Sequence, residues 1–350
     1  MNLMLLSDFY ERLQDEESRT LFSLKYEMLF NKGYQDFIET LLELDYPWEI
    51  SAYDEFRSLV GEKKVVIFGA GIDGRMTYDI LQKNGVSVYA FCDNNREKQG
   101  TVFCGCEVIA PVELHKNCSD YYIIIASHNR AGEMLHDLTA DFFPRENIWY
   151  PRLGTLYATT GCQYFDCPEL YPLGRDEVFI DAGCLDMGTS RVFADWCKGE
   201  YGRIIAFEPD KECYKNIQKQ CEIHDLHDFE VFPYATWDKN EEINFFNSVG
   251  GGGRVSEGGG ASIVGESIDN ILGGGKVTFI KLDVEGAELK SLKGAANTIR
   301  KYKPRLAISL YHKPSDIYEI PQLLMEYRPD YRFYIRHYTS YVWETVLYAV

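Results

Sequence analysis

Two apolar, β-branched runs each stop at a glycine turn and pass into a helical stretch. This repeated strand-turn-helix grammar constrains the fold more than any other feature of the chain. The first run is Lys63–Phe68 (KKVVIF), followed by Gly69-Ala70-Gly71-Ile72-Asp73-Gly74 and a helical stretch over Arg75–Asn84. The second is Val178–Ile180, followed by Asp181-Ala182-Gly183, then Gly188 and a helical stretch from about Thr189. Short apolar runs that end in turn residues and alternate with helices belong to parallel sheets with helical crossovers. Each start is followed by more strands. After the first come Val86–Cys92, ending at Asp93, and Tyr121–Ala126, ending at Ser127-His128-Asn129. After the second come Arg203–Phe207, Phe229–Pro233, Val277–Leu282 and Arg305–Leu310.

The expected fold class is therefore α/β, with two Rossmann-like doubly wound sheets in tandem. Tyr331–Tyr338 and Glu344–Val350 read as an antiparallel hairpin that ends the second sheet. Before the first sheet, apolar residues recur at helical spacing (Leu21, Leu24, Met28; Phe37, Leu41, Leu44), punctuated by Gly33 and Pro47. Pro151, Gly154, Pro168, Pro172 and Gly174 mark a linker. The expected division is a helical segment over 1–60, a Rossmann-like nucleotide-binding domain over 61–155, a linker over 156–175 and a further domain over 176–350. The glycines at 250–253 and 258–260 lose too much entropy on ordering to sit in a regular element, so this stretch reads as a mobile lid or a passive insertion.

Charge narrows the partners. A formal net charge of -18 repels phosphate backbones and anionic membrane surfaces, so neither nucleic acid nor membrane is expected as a partner. No run approaches the roughly 18 apolar residues of a membrane span. Met1–Leu6 has no basic flank and runs into Asp8, Glu11 and Asp15-Glu16-Glu17, so it does not read as a signal peptide and cytoplasmic residence is the default. The ten cysteines fit a reduced compartment, since several (Cys92, Cys197, Cys213) lie in apolar runs. Cys104/Cys106 and Cys162/Cys167 lack the usual zinc-ligand spacing, so no metal site is assigned; a metal-assisted route at the clustered carboxylates Asp283 and Glu285 stays open, though no ligand spacing requires it.

The chemistry-bearing residues fall where the strands of the second sheet end, which is where open parallel sheets bind ligands. Gly183 lets the backbone turn tightly and approach a ligand, and Gly188 permits the continuation of that turn. Asp181 would repel a pyrophosphate and attract the ammonium of a methionine moiety. Glu208, in Phe207-Glu208-Pro209, can accept both ribose hydroxyls of an adenosine. Tyr234-Ala235 ends the third strand, where an adenine would lie. Lys281-Leu282-Asp283-Val284-Glu285-Gly286-Ala287-Glu288 sets charged residues at the end of an apolar strand. Asp283 and Glu285 share a face there. They either orient the sulfonium end of the cofactor or accept a proton from the substrate, while Glu288 reads as a first-turn acid favouring the helix dipole. His312 follows the fifth strand and is the first choice of base, with Asp283 or Glu285 as alternatives.

The second half of the chain resembles the FkbM family of methyltransferases through DAGCLDMGTS, IIAFEPDKECYKNI, the Ala235 turn, ESIDNIL, FIKLDVEGAELKSLKGA and PRLAISLYH. The resemblance implies S-adenosylmethionine as donor and O-methylation of a hydroxyl, often on a sugar or natural product. Cys184-Leu185-Asp186-Met187 departs from the family's usual asparagine-isoleucine-glycine turn, which bears on cofactor affinity. Lys63–Leu114, with GAGIDG, FCDNN and Gly105-Cys106-Glu107-Val108-Ile109-Ala110-Pro111, resembles the N-terminal nucleotide-sugar-binding domain of bacterial sugar acetyltransferases. Gly69, Gly71, Gly74 and Asp93 would form that nucleotide site. A small-molecule or glycan acceptor and a nucleotide-sugar are thus the expected partners, and the sequence leaves homo-oligomerisation open. Two other readings remain: a non-catalytic nucleotide-binding scaffold, and an NAD-dependent oxidoreductase, for which no Tyr-x-x-x-Lys stands out.

Overall fold

The computed structural model describes residues 3–30, 34–44, 49–50, 53–127, 130–140, 143–149, 158–159, 161–221, 226–246, 254–255 and 261–350. His128, Asn129 and the glycines at 250–253 and 258–260, to which the sequence assigns a strand end and a lid, lie outside them. The chain forms two compact units. One comprises Met1–Phe30, Cys162–His337 and Trp343–Val350, and the other Asn31–Gly161 and Tyr338–Val342.

The first unit is built on a seven-stranded sheet. Its strands are β1 (Val178–Ala182), β2 (Arg203–Phe207), β3 (Phe229–Phe232), β4 (Phe279–Leu282), β5 (Arg305–Ser309), β6 (Phe333–His337) and β7 (Thr345–Ala349). Their order is β3-β2-β1-β4-β5-β7-β6. Strands β1 to β5 pair in parallel, as their near-continuous apolar runs predict for a sheet covered on both faces. β7 inserts between β5 and β6, antiparallel to both. From β1 the chain builds outward to β2 and β3, then returns to lay β4 on the other side of β1. The carboxyl ends of β1 and β4 therefore flank the switch point of the sheet, where such folds open a crevice.

Two segments expected to stand apart belong to this unit. The expected helical segment over 1–60 is divided between the two units. Helices Leu3–Arg12 and Glu16–Met28 go with the large sheet, where they cover the exposed edge of β6. Gln14 N–H donates to the Phe333 carbonyl at 3.0 Å, and Ile335 N–H donates to Ser18 Oγ at 2.9 Å. Asp15, the N-cap of the second helix, also pairs with Arg336 at 2.6 Å. These contacts satisfy backbone groups that an open edge would leave for aggregation. The expected linker is built into the unit from Cys162 onward. Phe165 packs against Phe179 and Phe279, and Leu173 N–H donates to the buried carboxylate of Glu177 at 2.8 Å. Below the crevice, Phe179 of β1 stacks on Phe193 of helix Gly188–Trp196 with centroids 4.3 Å apart, anchoring that helix to the sheet.

Between β3 and β4 lies a four-stranded sheet that the sequence reading does not contain. It comprises Ala235–Thr236, Glu241–Phe246, Arg254–Val255 and Ala261–Glu266, so the residues flanking the glycine-rich stretch are strands.

The second unit carries a six-stranded sheet in the order Val102–Phe103, Cys106–Ile109, Val88–Cys92, Lys64–Phe68, Tyr121–Ile125, Ile148–Trp149. All its pairings are parallel except the first. This is the second doubly wound sheet that the sequence predicts. Among the described residues no helix is long and apolar enough to cross a membrane.

Candidate active site

The turn after β1 is held from beneath by a buried ion pair. Lys281 on β4 is the register partner of Asp181 on β1, so their side chains are neighbours by construction. Lys281 Nζ lies 3.1 Å from Asp181 Oδ1 and donates to the carbonyls of Ala182 at 3.3 Å and Gly183 at 2.7 Å. Ser190 Oγ donates to Asp181 Oδ2 at 2.7 Å. The two charged side chains are 0% and 1% exposed. Burial pushes the Lys281 ammonium toward neutrality, but the Asp181 and Asp283 charges outweigh it and raise its pKa. Asp181 is thus enclosed by Lys281 and Ser190 and is not presented to a ligand's ammonium. This corrects its expected role.

Gly183 is fixed by geometry. Its φ is +78°, and a Cβ there would meet the Asp283 carbonyl oxygen at 1.9 Å, so only glycine lets β1 and β4 end this close together. The irregular turn nevertheless forms. Leu185 and Met187 both adopt left-handed backbone, with φ of 51° and 67°, at a cost of about 1–2 kcal/mol each. What offsets this is visible: Cys184 and Met187 pack with Ala206 and Ile217, and Met187 N–H donates to the Cys184 carbonyl at 2.9 Å. Gly188 starts the following helix, with its N–H on Asp186 Oδ1 at 2.9 Å.

Glu208 follows β2 and ties two turns together. Its Oε2 accepts from Leu185 N–H and its Oε1 from Asp210 N–H, each at 2.9 Å. Burial pushes its pKa up to about 7 against the pull of those two N–H groups. Each oxygen keeps a second lone pair that can accept from a hydroxyl. Phe207, Phe232 and Tyr234 form a stacked tier beside it, with successive centroids 5.7 and 6.2 Å apart. Ala235 does not join them. It opens the small sheet and packs with Phe245 and Ile263, which corrects its expected place against an adenine.

At the ends of β4 and β5 the sequence's three catalytic candidates meet. His312 Nε2 lies 3.6 Å from Asp283 Oδ1 and 3.4 Å from Glu285 Oε2. Asp283 accepts from the hydroxyls of Tyr164 at 2.9 Å and Tyr311 at 3.0 Å. Burial raises its pKa, but Lys281, His312 and the tyrosine bond outweigh that and hold it below the usual carboxylate value. The Tyr311 hydroxyl also reaches Glu344 at 3.3 Å. Glu288 is more than a helix-start acid. Fully buried, it accepts from Val284 N–H at 3.0 Å and holds His312 Nδ1 at 2.7 Å. Burial pushes the imidazole's pKa down. The Glu288 bond and the charges of Glu288, Asp283 and Glu285 raise it to about 9. An imidazole that holds its proton at neutral pH is a donor, so in the free protein His312 is not the base that the sequence suggests.

Tyr164, Tyr311, Glu288, Glu344 and Lys281 are the site residues that sequence reasoning missed or left without a role. The charged strand end KLDVEGAE signals Lys281 and Glu288; nothing local signals Tyr164 or Glu344.

In the other unit the glycine turn packs as its spacing implies. A Cβ on Gly69 would stand 2.3 Å from the Ala126 carbonyl oxygen and one on Gly74 would stand 1.9 Å from that of Gly69, whereas Gly71 faces open space. Asp93 is consumed locally. Its carboxylate accepts from Ala70 N–H at 2.9 Å and Asn95 N–H at 2.8 Å, and Lys98 lies 3.3 Å away.

Comparison with known proteins bears on both units. Residues 187–333, which lie in the unit with the seven-stranded sheet, match the Methyltransferase FkbM domain. Residues 61–139 match the family C2185-like, N-terminal. Among solved structures, the chain is similar to Methyltransferase FkbM from Methylobacillus flagellatus KT, at 20% identity over 90% of this chain and 98% of that one, with a TM-score of 0.48. It is also similar to an rRNA methylase from Streptococcus thermophilus (11% identity, 51% and 88% coverage, TM-score 0.32). A third is Aeropyrum pernix fibrillarin in complex with natively bound S-adenosyl-L-methionine (12% identity, 57% and 92% coverage, TM-score 0.34). No curated protein matches the sequence.

Proposed function

We propose that the unit with the seven-stranded sheet transfers a methyl group from S-adenosylmethionine to a hydroxyl of a saccharide, a nucleotide-linked sugar or a related metabolite. The observation that carries this reading is the set of side chains that follow successive parallel strands: Glu208 and the aromatic tier after β2 and β3, and the Asp283–Glu285–His312 cluster after β4 and β5, within the stretch matched to a methyltransferase domain.

The geometry supports the following division of labour. Glu208 accepts the ribose hydroxyls, Tyr234 and Phe232 flank the adenine, and the Leu185–Gly188 turn receives the methionine end. Asp181 and Lys281 act from below by fixing that turn. The sulfonium supplies a methyl group that is already electrophilic, so the protein's task is to place the acceptor oxygen in line and remove its proton. We assign the proton to Glu285, which lies closer to Nε2 than Asp283 does and is the more exposed of the two, at 40% against 25%. His312 orients the acceptor as a hydrogen-bond donor, and Tyr164 and Tyr311 hold Asp283 in place. The second unit, with Gly71 open at the start of helix Ile72–Lys83, binds a nucleotide or nucleotide-sugar at its own glycine turn.

Titration of S-adenosylhomocysteine, the product of methyl loss, tests this directly. Binding that is lost in Glu208→Ala supports the reading. No binding to the parent chain rejects it. Binding without methyl transfer to any member of a glycan and nucleotide-sugar panel would favour the non-catalytic scaffold.

A further inference from the structure

The cluster at the ends of β4 and β5 contains a buried ring nitrogen with nothing to bond. The His312 side chain is 9% exposed and its Nε2 has no hydrogen-bond partner. Carboxylate oxygens of Glu285 and Asp283 stand 3.4 Å and 3.6 Å from it. Good N–H···O bonds are about 2.7–3.2 Å long, so neither contact is one. The spacing does suit donors sharing a cation, because with bonds of about 2.1 Å at tetrahedral angles, neighbouring ligand atoms stand about 3.4 Å apart. The far side of the ring is prepared in the same sense. Nδ1 is held at 2.7 Å by Glu288, whose own position is fixed by Val284 N–H at 3.0 Å. A histidine that ligates a metal almost always gives its other ring N–H to such a carboxylate, which sets the tautomer and leaves the Nε2 lone pair outward. Donor atoms of Asp283, Glu288 and His312 lie within 4.8 Å of one another.

We propose that Asp283 Oδ1 and His312 Nε2 bind a divalent cation at these strand ends, the ion displacing the Nε2 proton that the free protein carries and taking over its hold on the acceptor, with Glu288 as the positioning residue that orients the imidazole. One imidazole and one carboxylate, with the remaining positions left to water or acceptor oxygens, suit the manganese–zinc class of ions. The purpose of the site rests on the methyl-transfer reading. A cation there binds the acceptor oxygen and weakens its O–H bond. The proton passes to Glu285, the oxygen's electron pair forms the bond to the methyl carbon, and the carbon–sulfur bond breaks to leave S-adenosylhomocysteine.

The test uses the full-length chain, freed of metal with a chelator and titrated with Mn2+ alone, followed by calorimetry and electron paramagnetic resonance. The expected result is specific binding with nitrogen hyperfine coupling from a directly bound imidazole. Affinity should fall about 10–100-fold in Glu288→Gln and be lost in His312→Gln. Absence of nitrogen coupling in the parent chain overturns the proposal whatever the variants do, as does Mn2+ binding unchanged in both His312→Gln and Asp283→Asn. S-adenosylhomocysteine titrated into the same metal-free preparations separates the two readings. Cofactor binding without Mn2+ binding rejects the cation site alone. Mn2+ binding that depends on His312, without cofactor binding, upholds the site and rejects methyl transfer.

Discussion

Removing Asp181 should damage the fold more than it damages cofactor contact, and the size of the effect follows from the pair beneath the β1 turn. At an effective dielectric of about 20, opposite charges 3.1 Å apart attract by about 5 kcal/mol. Burying both ions costs several kcal/mol each, so the intact pair is close to break-even. Replacing Asp181 with Asn keeps one of the two side-chain hydrogen bonds but removes the adjacent charge, leaving the buried Lys281 ammonium to the carbonyls of Ala182 and Gly183 and the more distant Asp283. Breaking a buried pair in this way costs about 3–5 kcal/mol. For a unit of this size that lowers the midpoint by about 2–4 °C per kcal/mol. The double variant Asp181→Leu/Lys281→Met removes both charges at similar volume and should recover much of the loss, giving a coupling energy of about 2 kcal/mol or more in a double-mutant cycle. Urea unfolding of the parent, Asp181→Leu, Lys281→Met and double variants measures the cycle, with Asp181→Asn alongside. If Asp181→Asn is as stable as the parent yet binds no S-adenosylhomocysteine, the argument from burial is wrong and Asp181 is a cofactor ligand.

Other outcomes follow from the same geometry. Burial holds Glu208 near pKa 7, and ribose hydroxyls need the ionised carboxylate as acceptor. S-adenosylhomocysteine affinity should therefore rise with pH through about 7 and level off above it, falling about tenfold per unit below that; calorimetry in Glu208→Gln should show no such slope. Gly183→Ala forces a Cβ onto the Asp283 carbonyl and should cost at least about 2 kcal/mol in urea unfolding, whereas Leu185→Gly relieves a left-handed, 40% exposed residue and should gain up to about 1 kcal/mol. Ser18→Ala strips the acceptor from the buried Ile335 N–H and should cost about 1–3 kcal/mol, read as a lower thermal midpoint together with faster hydrogen exchange at Ile335.

The sequence by itself determined the elements whose causes are local. The β-branched runs, the glycine turns and the order of strands and helices set both doubly wound sheets, because apolar periodicity and backbone freedom act over a few residues. That Glu208 and Asp283 directly follow strand ends was legible for the same reason. What only the tertiary structure decided depends on neighbours distant in the chain. Asp181 reads as a cofactor ligand until Lys281, a hundred positions away, is placed in register beside it. Glu288 reads as a helix-start acid until the fifth strand brings His312 to it, and the same approach turns His312 from a base into a donor. Tyr164 carries no signal in a segment that looks like a linker, yet it holds Asp283 across 119 positions. The first two helices likewise look detached until β6 needs its edge covered. In each case the deciding energy is a buried charge or an unsatisfied polar group. Its value is set by what surrounds it in space, which no local pattern of residues encodes.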